Sequence, residues 1–137
     1  MGIPFQSLTL EEIQGLHARL IKSSGGLYSE ADGNFLNRGS LAYALESCTA
    51  TIFGEELYKT VFEKIAVIVK TIICNHVFRD GNKRTGTFVA MALLEINGFT
   101  LIPDIDDADF AIKIAVENLS IEEIAAWIQR RVSVAGS

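Results

Sequence analysis

The stretch "FEKIAVIVKTIICNHVFRDGNKRTG", Phe62 to Gly86, carries both the centre of the fold and its chemistry. Its first half is apolar: Ile65, Ile68, Val69, Ile72 and Ile73 step by three and four, and Ala66 and Val67 widen the face. That period predicts a helix buried on most sides. Followed outward, the pattern runs from Glu55 to about His76 and puts His76 in phase with the buried stripe. His76, Asp80, Asn82, Lys83 and Arg84 then crowd into one segment ahead of the next apolar run, "TFVAMALLEINGF". A plain surface turn needs fewer polar groups than that.

Working outward, the chain has 137 residues, 49% apolar and 21% charged. That is enough for one domain, residues 1–137, with a real core. The net charge of −5 argues against a bulk nucleic-acid binder. Cys48 and Cys74 make neither a disulfide framework nor a CxxC zinc pair. The start "MGIPFQSLTLEE" lacks the basic and apolar regions of a signal peptide. No apolar run is long enough for a membrane span. The expectation is a cytoplasmic protein without a membrane or direct nucleic-acid partner.

Thr9-Leu10-Glu11-Glu12 has capping-box spacing, opening a helix with Leu10, Ile13, Leu16, Leu20 and Ile21 inward, stopped at Gly25-Gly26. A Gly-, Asn- and Ser-rich irregular segment follows, of a kind that often covers a site. Helices are predicted from Ser40 to about Cys48, from Asn82 to Asn97-Gly98, from Asp106 to about Asn118, and onward from a second capping box at Ser120-Glu123. The last carries Ile121, Ile124, Ala125, Ile128 and Val132 on one stripe. "FTLIP" reads as a short extended piece closed by Pro103. With no alternating run long enough for a sheet, the predicted fold class is all-α, a compact helical bundle around a buried central helix.

The polar segment then has a chemical reading. Asp80-Gly81-Asn82 is turn chemistry, and a helix beginning at once behind it offers free N–H groups from Asn82 to about Thr85. Helix N-termini with glycine beside them bind anions. Lys83 and Arg84 add positive charge, and an arginine fork suits phosphate oxygens. Asp80 offers a hard oxygen, and magnesium binds one or two carboxylates together with substrate phosphates. An imidazole such as His76 can take a proton from an incoming hydroxyl. Phe78 would plug into the core and fix the loop. Taken singly, each has a bland role: a core histidine, a helix cap, a turn glycine, solvated cations. Together they point to phosphoryl or nucleotidyl transfer.

The segment His76-Val77-Phe78-Arg79-Asp80-Gly81-Asn82-Lys83-Arg84 resembles the signature of the Fic/Doc family, H-x-F-x-D/N-A/G-N-K/G-R. The flanks "LTLEEIQGLHARLI", "FGEELYKTVFEKIA" and "SIEEIAAWI" are similar to the death-on-curing (Doc) branch. Adenylylating Fic enzymes usually have Gly at the position of Lys83 and a second Arg at the position of Thr87. The resemblance therefore implies a Doc-type kinase that moves the γ-phosphate of ATP to a Thr or Ser hydroxyl, characteristically of elongation factor Tu, and so stops translation. It implies His76 as base, Asp80 as Mg2+ ligand, Asn82 and Arg84 as phosphate holders, Gly81 in the anion nest and Lys83 as the residue that biases how the nucleotide sits. Arg38 is similar to an Arg that follows "GG" in Doc-like sequences and is assigned to nucleotide or partner contact.

No self-inhibiting S/T-x-x-x-E-G/N motif is present, so the resemblance implies control by a prevents-host-death type antitoxin whose helix enters a groove. The alternatives are a Fic-type protein adenylyltransferase, for which Gly81 is the Fic-like feature, and a catalytically silent antitoxin-binding module. His17 lies in helical phase with Ile13, Leu20 and Ile21 and reads as structural. Cys74 would point away from His76 on a helix, so no Cys/His nucleophile pair is expected.

Overall fold

A computed structural model describes residues 4–102 and 107–134, with the backbone alone for Asp107 and Ala108. The helix that opens the fold, α1 (Leu10–Ser24), begins with the expected capping box. Glu12 N–H reaches Thr9 Oγ1 at 3.1 Å, and Thr9 N–H reaches Glu12 Oε1 at 2.8 Å. A short 3-10 turn (Glu30–Asp32) leads to α2 (Arg38–Ser47), which starts two residues before its predicted Ser40. The chain then makes a hairpin, β1 (Thr51–Ile52) with β2 (Glu55–Glu56), before α3 (Val61–Cys74).

This hairpin corrects the sequence reading, which ran the central helix from Glu55. Phe53 and Gly54 both have positive φ, 51° and 81°, as a two-residue hairpin turn demands. Helix α3 starts later, at its own capping box, where Glu63 N–H reaches Thr60 Oγ1 at 3.1 Å. The hairpin is tied down by buried Lys64, whose Nζ pairs with Glu56 Oε1 at 3.0 Å and donates to the Tyr58 carbonyl. A buried ammonium requires such partners.

The remaining elements are α4 (Asn82–Ile96), β3 (Phe99–Leu101), α5 (Asp107–Glu117), α6 (Ile121–Arg130) and β4 (Val132–Val134). Antiparallel pairing of β3 with β4, Leu101 opposite Val132, takes Val132 out of the last helix where the stripe had placed it. The fold is mainly helical with two small antiparallel sheets, so the all-α class needs that correction. Two-residue and three-residue strands are too short to show alternation. Pro103 and Asp106, expected to close one element and open the next, lie outside the described residues.

As predicted, α3 is the buried centre, packed against α2, α4, α5 and α6. Ile65, Ile68 and Ile72 are fully buried, as are Leu41, Leu93, Ile114 and Ile124 from the surrounding helices. Burying each such side chain contributes roughly 1.5–3 kcal/mol. Helices α3 and α4 approach closely at Gly86, where a Cβ would stand 2.6 Å from Ile73 Cγ1. That contact sets the start of α4 against the end of α3. The motif loop lies between them.

Candidate active site

Helix α3 stops at Cys74, and Asn75 caps it through its N–H to Thr71 O at 3.0 Å. His76 is therefore outside the helix, which corrects its predicted place on the buried stripe. It is exposed, with φ 48°, and among the described residues its ring has no hydrogen-bond partner. A left-handed non-glycine residue costs about 1 kcal/mol and clusters at functional sites. The αL turn here ends the helix as glycine commonly does, and it leaves the imidazole free of the core.

The next residues are clamped. Val77 and Phe78 are fully buried. Val77 O accepts from Leu36 and Asn37 N–H at 2.8 and 3.0 Å, and Arg79 N–H donates to Asn34 O at 3.0 Å. Phe78 sits between the His17 ring at 3.8 Å and the Phe35 ring at 4.9 Å, which confirms its expected role as a plug. Asn82 bonds both ends of its amide to the backbone of one residue: Oδ1 accepts Phe78 N–H at 2.9 Å, and Nδ2 donates to Phe78 O at 2.8 Å. In this arrangement Asn82 shapes the loop. Arg79 forms an ion pair with Asp32 that ties the loop to the irregular segment.

Asp80 emerges from this clamp with both carboxylate oxygens engaged. Leu27 N–H donates to Oδ2 at 3.0 Å, and Gly81 N–H donates to Oδ1 at 2.8 Å. The Leu27 bond foremost, then that from Gly81 and the Arg84 charge, hold its carboxyl below the usual range. Gly81 has φ 72°, which favours glycine, and a Cβ there would stand 2.8 Å from Ile21 Cδ1, so a larger residue would have to displace the end of that side chain. No side chain caps α4. The Asn82, Lys83 and Arg84 amides have no backbone acceptor among the described residues, whereas Thr85 N–H donates to Gly81 O at 2.9 Å. Three free amides in the first turn fit an anion.

Half-buried Arg84 leans over the end of α1, its Nη1 3.3 Å from Gly25 O and 3.5 Å from Leu20 O. Lys83 is exposed. Thr85 is buried, its hydroxyl 2.8 Å from His17 Nδ1, so neither its side chain nor its amide faces outward. Arg38 begins α2 with its guanidinium 5.8 Å from the Phe35 ring centre. Asp80 and Arg84 thus converge on the Gly25–Leu27 turn, with Gly81 against Ile21 beside it. Arg38 makes no hydrogen bond or ion pair with that turn among the described residues; its guanidinium faces Phe35.

Sequence reasoning took Gly25-Gly26 only as a helix stop and His17 only as core. Leu27 and Asn34, which support Asp80, carried no signal at all. His17 is fully buried; burial, then the Arg84 charge, push its pKa down to about 4, against an opposing pull from Asp80. One carboxylate and no group of three acidic, His or Cys ligands occur here among the described residues. That donor set fits a magnesium ion carried in with phosphates, and does not fit an all-protein cage. Two grooves lie elsewhere. One, about 870 Å³, runs between α5 and α6 past Phe110, Ile112, Val116 and Trp127. The other, about 450 Å³, lies between α2 and α3 and ends at Asn75, beside His76.

A polar loop clamped between two helices and ending at an uncapped helix start defines the class, and residues 7–94 match the Fic/DOC family. The chain belongs to that family. It is 33% identical over 91 residues to the protein named "Toxin Doc" of Mycolicibacterium smegmatis, covering 64% of this chain and 70% of that protein. It is 28% identical over 120 residues to "Protein kinase doc" of Escherichia phage P1, covering 88% of this chain and 90% of that protein. Both place it with the Doc branch.

Proposed function

We propose that this chain is the toxin of a toxin–antitoxin pair and acts as a protein kinase. It would transfer the γ-phosphate of ATP to a Thr or Ser hydroxyl of a translation factor, with elongation factor Tu as the target. The observation that carries this reading is the pairing of Asp80, ionised and held by two backbone amides, with the uncapped start of α4 and Arg84. The first-turn amides and Arg84 bind phosphate oxygens, once Arg84 exchanges its carbonyl contacts for them. Asp80 would hold the magnesium ion that arrives with ATP, and that ion would neutralise charge developing on the phosphates.

His76 takes the proton of the substrate hydroxyl. The hydroxyl oxygen bonds to the γ-phosphorus, the bond from that phosphorus to the bridging oxygen breaks, and ADP leaves. The imidazolium then returns its proton to solvent. Exposure and freedom from intramolecular bonds suit His76 to meet a protein substrate. Asn82 keeps the loop in register, and Lys83 stands where it can meet the nucleotide or its target. Thr87, whose hydroxyl bonds Lys83 O at 2.9 Å, occupies the place of a second arginine clamp and favours γ-transfer. Gly81, by contrast, favours the second reading, an adenylyltransferase.

A prevents-host-death type antitoxin would supply control by laying a helix in a groove, and the trough between α5 and α6, which mixes Phe110, Ile112, Val116 and Trp127 with charged Lys113, Glu123 and Arg130, is one surface that could take an amphipathic helix. No helix among the described residues is long and apolar enough to cross a membrane, in keeping with action in the cytoplasm. The test is expression in a susceptible bacterium, wild type beside His76→Ala, followed by intact-mass analysis of the translation factors. One phosphate added to elongation factor Tu by the wild type alone is the expected result. Addition of AMP would replace this reading with the second, and toxicity unchanged in His76→Ala would sink both.

A further inference from the structure

Asp80 is aimed by residues remote from it in sequence. Its Oδ2 accepts the Leu27 N–H, so the position of that peptide decides where the carboxylate points. The Leu27 side chain is 71% exposed and gives the peptide little anchorage. The Leu27 carbonyl, in the peptide that follows, does the anchoring by accepting Asn34 Nδ2 at 2.8 Å, and so holds the backbone of Leu27 from its other side. The same Nδ2 lies 2.9 Å from His17 Nε2, and Asn34 Oδ1 accepts Ser29 N–H at 2.9 Å.

These contacts leave one assignment of protons. Since Oδ1 serves Ser29, the amide nitrogen faces the imidazole and donates to it. Nε2 is then the acceptor, and the neutral ring carries its proton on Nδ1, which donates to Thr85 Oγ1 at 2.8 Å. Thr85 belongs to the first turns of α4. His17 therefore joins the peptide that holds Asp80 to the helix start beside it. The turn has no slack: a Cβ on Gly26 would stand 2.9 Å from Asp80 Oδ2 and 2.9 Å from Ile21 Cδ1. Arg84 leans on the same turn through Gly25 O.

We propose that His17 and Asn34 are positioning residues of the phosphotransfer site, setting the direction of the Asp80 carboxylate through the Leu27 peptide. This rests on the reading that Asp80 receives metal-bound nucleotide. Both side chains are fully buried with every inward polar atom engaged, so they form a rigid strut. Preorganising a metal-binding oxygen in this way is how outer partners tune affinity.

Asn34→Gly removes the amide while suiting the φ of 66° at that position. Calorimetry on the full chain would compare ATP with and without Mg2+. In the wild type Mg2+ should tighten ATP binding; in Asn34→Gly that gain should shrink about tenfold, the usual effect of losing an outer-shell partner, while metal-free ATP binds as in the wild type. His17→Phe, which keeps the stacking on Phe78, should lose part of the same gain. In both variants the Leu27 amide should exchange with solvent faster, since Asp80 is its acceptor. An equal loss for both forms of ATP would mean a merely structural role and overturn the inference. So would a magnesium gain retained in Asn34→Gly. A wild type that gains nothing from Mg2+ would overturn the phosphotransfer reading itself, and this inference with it.

Discussion

His76 and Asp80 stand at opposite ends of one loop and are held in opposite ways. His76 is exposed, left-handed and without a hydrogen bond to its ring among the described residues. Asp80 is fixed by two backbone amides, with His17 and Asn34 supporting one of them. The difference suits the two tasks proposed for these residues. A group that must meet a large, mobile protein hydroxyl benefits from freedom, whereas a group that must hold a small hard ion benefits from fixed geometry.

The largest effect should come from breaking the free end. His76→Gly should lower phosphotransfer by about 10²–10⁴-fold, the usual contribution of a general base. Because glycine suits the left-handed conformation, the same change should raise stability by about 1 kcal/mol. Activity assays beside thermal melts check both. A variant that is inactive and also less stable would mean that the imidazole supports the fold.

How much of this was legible depends on distance along the chain. The capping boxes at Thr9-Glu12 and Ser120-Glu123, the buried face of α3 and the start of α4 at Asn82 are local patterns, and they were readable. The box at Thr60-Glu63 was just as plain, but the apolar period ran past it, and a period says nothing about where a helix stops. The same overrun put His76 in phase with a helix that ends at Cys74. The convergence of Asp80 with Arg84 and helix amides was readable because neighbours in sequence supply all of it. The other half of the site was not. Thr85 meets His17 across 68 residues of chain, and Leu27 acts through its backbone, which leaves no mark on composition.

The fixed end predicts a pH dependence. Folded His17 takes up a proton only near pH 4, whereas in the unfolded chain it does so near 6.5. The unfolded state therefore binds more protons between those values, and stability should decline as pH falls through that window, by about 3 kcal/mol when complete. Below it, Asp80 adds a further loss, because a depressed carboxyl stabilises only while ionised. Chemical denaturation across pH, wild type against His17→Phe, should show the upper part of the decline flattened in the variant. An unchanged slope would deny that His17 is buried neutral.

A finer comparison sets Gly26 against Gly25. Both have positive φ, but only at Gly26 would a Cβ collide with Asp80 and Ile21; Gly25 has open space. Gly25→Ala should cost about 1 kcal/mol from the backbone alone, and Gly26→Ala about 1–3 kcal/mol more from overpacking. Only Gly26→Ala should also reduce activity. The smallest effect belongs to the Arg79–Asp32 pair, which is solvent-exposed; Arg79→Gln should change stability by less than about 1 kcal/mol.

Asp80 and the start of α4 are proposed to act on the terminal phosphate of bound ATP. Purified protein, elongation factor Tu and Mg2+ should be incubated with ATP labelled at either the α or the γ position, with Asp80→Asn as the parallel variant. Label should reach the factor from the γ position only, and almost none should do so with Asp80→Asn. Label arriving from the α position, or γ-label undiminished in Asp80→Asn, would contradict that role.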